Sequence, residues 1–255
     1  MDHLTEQQII NGYWHWGLNK PPQACKRVEE YSGEKFLAIN CTQLEGFSAK
    51  EQKKIINDWC EFLSSPTEIE IIWFVCRVNQ ELFDAVCNQN QLQGLYIKWS
   101  GVKTIKQIPQ LENLKYLKIG SSSKIVDISP LTSLHKLIFL YLNNLQRVHD
   151  YSVISELKQL EGLCLTGNVF APQILKIDSL KFLECLHNLK YLDLDTTKIL
   201  DNSHDAICNL TDLRTFQINR TLPKDLRIKI KGTLKKLQYG FFMEYDWENK
   251  RRYNV

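Results

Sequence analysis

The sequence predicts an α/β solenoid, a curved parallel sheet of short strands backed by turns and short helices. Two observations carry that prediction. The first is a set of apolar residues at relative positions −6, −3, 0, +3 and +5, repeated five times. Ile108, Leu111, Leu114, Leu117 and Ile119 form one copy, and Leu131, Leu134, Leu137, Leu140 and Leu142 the next. Ile154, Leu157, Leu160, Leu163 and Leu165 follow, then Leu183, Leu186, Leu189, Leu192 and Leu194, then Ile207, Leu210, Leu213, Phe216 and Ile218. Against a 44% apolar background, one register fills every position by chance roughly once in 10⁹. The second observation is the spacing. Zero positions fall at 114, 137, 160, 189 and 213, steps of 23, 23, 29 and 24 residues. A coil of that length holds a strand, a turn and one return segment, so no copy can bury its own apolar face and copies must stack.

Within each copy, apolar residues at +3 and +5 with a polar residue between them suit a short strand whose +3 and +5 side chains face the core. The −6 and −3 residues cover the sheet from behind. Weaker copies flank these five: Leu92, Leu95 and Ile97, then Ile69, Ile72 and Phe74 upstream, with Leu37 and Ile39 a possible first copy, and Leu234, Leu237 and Tyr239 downstream. This LxxLxxLxLxx pattern, with Ile128-Ser129-Pro130-Leu131 leading the second copy, resembles leucine-rich repeat proteins and is similar to their internalin-type bacterial subclass. The resemblance covers 92–220 most plainly and 34–240 with the weaker copies. It implies a leucine-rich repeat solenoid with its sheet on the concave side, and it is more specific for fold than for function.

One position departs from the family. Its repeats usually place Asn at +8, where the amide bonds exposed backbone between coils; here +8 holds Ser100, Ser122, Leu145, Asn168, Thr197 and Thr221. A hydroxyl offers fewer donors than an amide, so the ladder should be looser, worst at Leu145. The 29-residue coil, containing VFAPQILKIDSLKF, should bulge or lengthen into a helix.

The terminal coils need covers. Residues 1–33 read as a helical N-terminal cap, with a capping box at Thr5 and Gln8 and a break at Pro21-Pro22. Ser48 and Glu51 open a second helix in which Ile55, Ile56, Trp59, Phe62 and Leu63 share a face. PKDLRIKIKG predicts a short helix, and 241–255 a closing segment (GFFMEYDW) and a charged tail.

A net charge of +3 argues against partnership with nucleic acid through bulk charge. No secretory signal is visible in MDHLTEQQIINGYWHWGLNK and no run is long enough to span a membrane, so a cytoplasmic setting with eight reduced, packed cysteines is expected. Phosphate-loop, nucleophile-elbow and zinc-protease motifs are lacking. The nearest metal set, Cys185, His187, His204 and Cys208, has no finger-like spacing, and its cysteines fall in apolar return segments. We therefore expect no enzyme, no metal and no cofactor.

What remains is the concave face, lined by positions +2, +4 and +6. It groups Trp73, Tyr96, Tyr116, Phe139, Tyr141 and Tyr191, with Trp99 at its margin, and sets Lys98 and Lys118 towards one end against Asp193 and Asp195 towards the other. Clustered exposed aromatics mark binding surfaces, where Tyr and Trp dominate the energetics. The reading is a protein-interaction module that binds a protein partner on this face and is monomeric when free. A bacterial adaptor, or an immunity protein that neutralises a toxin, is its sharper form. The alternatives are an effector-type protein and a glycan- or nucleic-acid-binding repeat protein.

Overall fold

The computed structural model describes residues 3–168, 173–218, 222–248 and the backbone of 251–252. The strands are β1 (Ala24–Cys25), β2 (Phe36–Ile39), β3 (Ile71–Val78), β4 (Gly94–Ser100), β5 (Tyr116–Ile119), β6 (Phe139–Asn143), β7 (Gly162–Thr166), β8 (Leu175–Ile177), β9 (Tyr191–Asp193), β10 (Thr197–Ile199), β11 (Thr215–Gln217), β12 (Tyr245–Asp246) and β13 (Arg251–Arg252). Nine of them form one parallel sheet in the order β1-β2-β3-β4-β5-β6-β7-β9-β11. Because each coil contributes one strand next to its predecessor, equivalent repeat positions pair directly: Leu95 with Leu117, Leu117 with Leu140, Leu140 with Leu163, Leu163 with Leu192.

Every residue of the five repeat copies is at most 4% exposed. Together they form a continuous ladder of aliphatics from Leu37 to Phe242. In the repeat copies the return segments are 3₁₀ turns: Ile108–Gln110, Ser129–Ser133, Ser152–Glu156, Lys181–Cys185 and Ser203–Asn209. A 3₁₀ turn rises ~2.0 Å per residue and so crosses the back of a coil with few residues. The upstream coils hold true helices, α2 (Ala49–Leu63) in a longer coil and α3 (Gln80–Val86) in one of ordinary length, preceded by α1 (Glu6–Asn11). The box predicted at Ser48 and Glu51 is formed, and α2 buries Ile55, Trp59 and Leu63. Trp59 also donates its indole N–H to the Lys26 carbonyl at 2.9 Å, tying the helix to the chain beyond β1. At the other end α4 (Lys224–Thr233) and α5 (Phe241–Glu244) close the stack, Phe242 packing on Phe216 at 5.3 Å between ring centroids.

Three expectations need correction. The sheet begins at Ala24, inside the segment read as a cap, and helix in residues 3–33 is confined to α1 and a 3₁₀ turn at Val28–Glu30. The Thr5–Gln8 capping box does start a helix, but Gly12 ends it at φ +84 and the residues beyond find their burial elsewhere. Residues 169–172 of the 29-residue coil lie outside the described residues, and its Leu175–Ile177 portion is extended rather than helical. There β8 pairs in parallel with β10 as a separate two-stranded sheet.

The inter-coil ladder is also better satisfied than the +8 residues suggest. Ser100 and Ser122 bond one another across coils at 2.7 Å, while Thr197 caps the Leu194 carbonyl within its own coil at 2.6 Å. Leu145 is simply buried in the core, because Asn143, two residues earlier, takes over the amide's task. Its NH₂ reaches the Gly167 carbonyl at 2.6 Å and Thr166 Oγ1 at 3.0 Å on the next coil, while its oxygen accepts from Ser121 N–H at 3.1 Å on the previous one. Thr221 lies outside the described residues. Asn143→Leu strands these partly buried groups, and a loss of about 1–3 kcal/mol is expected in urea unfolding. Unchanged stability would show that the amide is dispensable.

Candidate binding face

The predicted columns are realised in the pairing. Trp73, Tyr96, Lys118, Tyr141, Cys164 and Asp193 lie side by side on consecutive strands of one row. Tyr116, Phe139, Gly162, Tyr191 and Thr215 form the neighbouring row. Gly162 is required there: a Cβ at that position would lie 2.2 Å from Phe139 Cδ2, so the ring occupies the space that a side chain would fill.

The face is already occupied. Residues 3–19, here termed the strap, cover it through residues 3–14, which run from the later coils to the earlier ones, while His15–Leu18 are exposed. At one end Glu161, 4% exposed, accepts the Leu4 N–H at 2.8 Å and bonds His3 and Lys190, the latter at 2.8 Å. Burial acts to raise the Glu161 carboxyl, but Lys190, the Leu4 amide and His3 together hold it below the usual carboxylate range. Glu6 pairs with Arg214 through both guanidinium nitrogens, and Thr215 donates to the Ile9 carbonyl at 2.6 Å. Gly12 then passes Tyr191 and Phe139 so closely that a Cβ would meet the Tyr191 ring at 3.2 Å. Tyr13 stacks flat on Tyr116, centroids 3.7 Å apart and 5° from parallel. Trp14 sits edge-on to Tyr96 at 5.3 Å and to Trp73 at 6.2 Å.

The exposed aromatic patch expected from the sequence is therefore covered. Trp73, Phe139 and Tyr191 are 4%, 1% and 5% exposed and form a second core with Leu4, Ile9, Tyr13 and Trp14. Cys164, in the same row as Tyr141, is buried in the same cluster. Lone strands could not reveal this, because the residues doing the covering lie more than 50 positions away in the chain.

Beside the strap a cavity of about 530 Å³ remains, lined among others by Lys98, Trp99, Lys118, Tyr141, Asp193 and Asp195. The Lys118 ammonium lies between two rings, 4.8 Å from the centre of Tyr96 and 4.2 Å from that of Tyr141. Burial lowers its pKa to about 8, against the attraction of Cys164 and Asp193. Asp193 is pushed up to about 7, first by burial and then by Asp195, while the Asp195 N–H, bonded at 2.9 Å, and Lys118 pull the other way. Lys98 covers Trp99 at 4.5 Å, and Trp99 in turn donates to Gln43 at 3.3 Å.

No family profile matches the sequence, and no curated protein does. Solved structures do match. Internalin C2 from Listeria monocytogenes strain 4b F2365 superposes with a TM-score of 0.53 at 18% identity, covering 72% of this chain and 74% of the other. A leucine-rich repeat protein of Leptospira interrogans superposes with a TM-score of 0.56 at 19% identity, over 85% of this chain. The match covers 52% of that protein, so this chain spans about half its length. The chain has a leucine-rich repeat fold, similar to that of the internalins.

In this leucine-rich repeat solenoid the predicted residues divide into two groups. Trp73, Tyr116, Phe139 and Tyr191 face the strap or the cluster it completes, Lys98, Trp99, Lys118, Asp193 and Asp195 line the cavity, and Tyr96 and Tyr141 do both. Glu161 and Arg214, which anchor the strap, carry no signal in the sequence; each directly precedes its strand, where no column pattern applies. Among the described residues no group of three or more His, Cys, Asp or Glu could hold a metal, and no helix is long and apolar enough to cross a membrane. All eight cysteines are free.

Proposed function

We propose that this chain is a non-enzymatic binding module that takes a protein partner on its concave face. The observation that carries the reading is that the face already holds polypeptide. Residues 3–14 lie on it through stacked rings, a buried carboxylate and an Arg–carboxylate pair, the means by which interfaces bind protein. The adjoining cavity adds a cation between aromatic rings and a pair of aspartates, chemistry suited to polar side chains of a partner.

The test uses two variants of the exposed surface. Lys98→Glu/Trp99→Ala alters the margin of the face, and Lys124→Glu alters an exposed residue outside the cavity lining. A partner captured by the wild-type chain should be lost by the first variant and kept by the second; the reverse pattern would place the site elsewhere. Within this class we read the chain as a cytoplasmic bacterial adaptor or a toxin-neutralising immunity protein, monomeric when free. A captured toxin whose activity falls on adding equimolar chain supports that finer reading. A nucleic acid on the same face would instead reveal itself by affinity falling steeply with added salt.

A further inference from the structure

We infer that the strap is a displaceable internal ligand: it closes the concave face, and a partner peptide binds by taking its place. This rests on the concave face being the partner's site.

Three features of the closed arrangement support displacement. First, the strap has little structure of its own. Its one helix is six residues long, too short to persist without the face beneath it. It joins the array through Lys20, Pro21, Pro22 and Gln23, of which Lys20, Pro22 and Gln23 are exposed. Leaving the face therefore costs contacts with the array and breaks no shared strand.

Second, closure leaves polar groups unsatisfied. The indole nitrogens of Trp14 and Trp73 are both buried without an acceptor. Buried donors are nearly always paired in native structures, so two orphans at one contact mark a site where closure is not optimal. The two rings that carry them lie edge to face, with centroids 6.2 Å apart. Opening hydrates both, and a ligand that brings a carbonyl or carboxylate oxygen to Trp73 satisfies one of them where the strap does not.

Third, the anchors define what a replacement must carry. Arg214 holds a carboxylate, from Glu6 in the closed state. Tyr116 takes a flat ring at stacking distance, from Tyr13. Glu161 takes an N–H, from Leu4. The partner segment is thus a short peptide with an acidic side chain, an aromatic residue several positions further on and a free acceptor opposite Trp73. The tethered strap competes at the high effective concentration of an intramolecular ligand, so apparent affinity for the partner is reduced by the fraction of chain that is open.

The experiment needs no partner. Cys164 is 2% exposed within the cluster that the strap completes, so its alkylation by a maleimide, read at its own peptide by mass spectrometry, reports opening. Three full-length proteins are compared: wild type, Glu6→Arg, and Glu6→Arg/Arg214→Glu. The exchanged residues are partly exposed, so the array keeps its fold. Glu6→Arg should raise the Cys164 rate several-fold, and the double exchange should restore it. A synthetic peptide of residues 3–19 should slow labelling of Glu6→Arg, and the same peptide with Ala for Tyr13 and Trp14 should not. Equal rates in all three proteins, or labelling that follows only global unfolding in urea, would overturn the inference. Failure here leaves the concave-face reading to the capture experiment, and failure there leaves this result standing.

Discussion

Tyr13→Ala/Trp14→Ala is expected to release residues 3–19 from the concave face while the array stays folded. Truncating a buried large aromatic costs about 3–5 kcal/mol, and these two rings touch, with centroids 4.8 Å apart, so their losses do not add independently. The combined loss exceeds what a six-residue helix and a few polar contacts can hold. The destabilisation stops at the free energy of strap opening, because the array's own ladder contains neither residue. Hydrogen exchange separates the two levels. The Ile9 amide, bonded to the Thr5 carbonyl at 2.9 Å, and the Gly12 amide, bonded to Gln8 at 2.8 Å, should lose protection by orders of magnitude. Amides of β6 and β7 should exchange as in the wild type. If array and strap amides lost protection together, the strap would be an inseparable part of the core.

The repeat was legible because its information is local. A coil announces itself through five apolar residues within twelve positions, and strand pairing follows from stacking like on like. The row Tyr96, Lys118, Tyr141, Cys164, Asp193 needed only the period and the alternation of a strand. The strap was legible only in part. Thr5 and Gln8 mark where its helix starts, yet GYWHW carries no period that says which surface buries it. That choice is made by Tyr116, Phe139 and Tyr191, more than a hundred residues downstream, and by Glu161 and Arg214, which belong to no column. The same limit explains Asn143. A family position at +8 predicts a bond by sequence offset, whereas the turn at Asn144, with φ +60, places the preceding side chain where the amide is needed.

Asp193→Asn is expected to abolish the fall in stability that Asp193 causes between about pH 4 and 7. An unfolded Asp titrates near ~3.9, while in the fold Asp193 holds its proton to about 7, because burial and then the neighbouring Asp195 disfavour the anion. Between those values the native chain binds a proton that the unfolded chain has released. The stability tied to this group is therefore complete below about pH 4 and is lost as pH rises through 7. Lys118 acts in the opposite direction. Burial lowers it to about 8, so the unfolded chain binds the extra proton up to ~10.4 and stability climbs across that higher window. The combined contribution of these two groups should therefore be least between the two windows, near pH 7 to 8. Each tenfold change in proton affinity between the folded and unfolded chain is worth about 1.4 kcal/mol. Partial access to the cavity reduces the total, so Asp193→Asn should gain about 1–3 kcal/mol at pH 8. The gain should vanish by pH 4. Urea midpoints at pH 4, 6, 8 and 9.5 test both limbs. Parallel curves for the two proteins would mean that Asp193 is ionised in the fold, with its charge already satisfied. If instead the Asp193 limb is present, the carboxyl is largely protonated at pH 6, and a cationic partner group that pairs with its anion in the cavity binds with proton release.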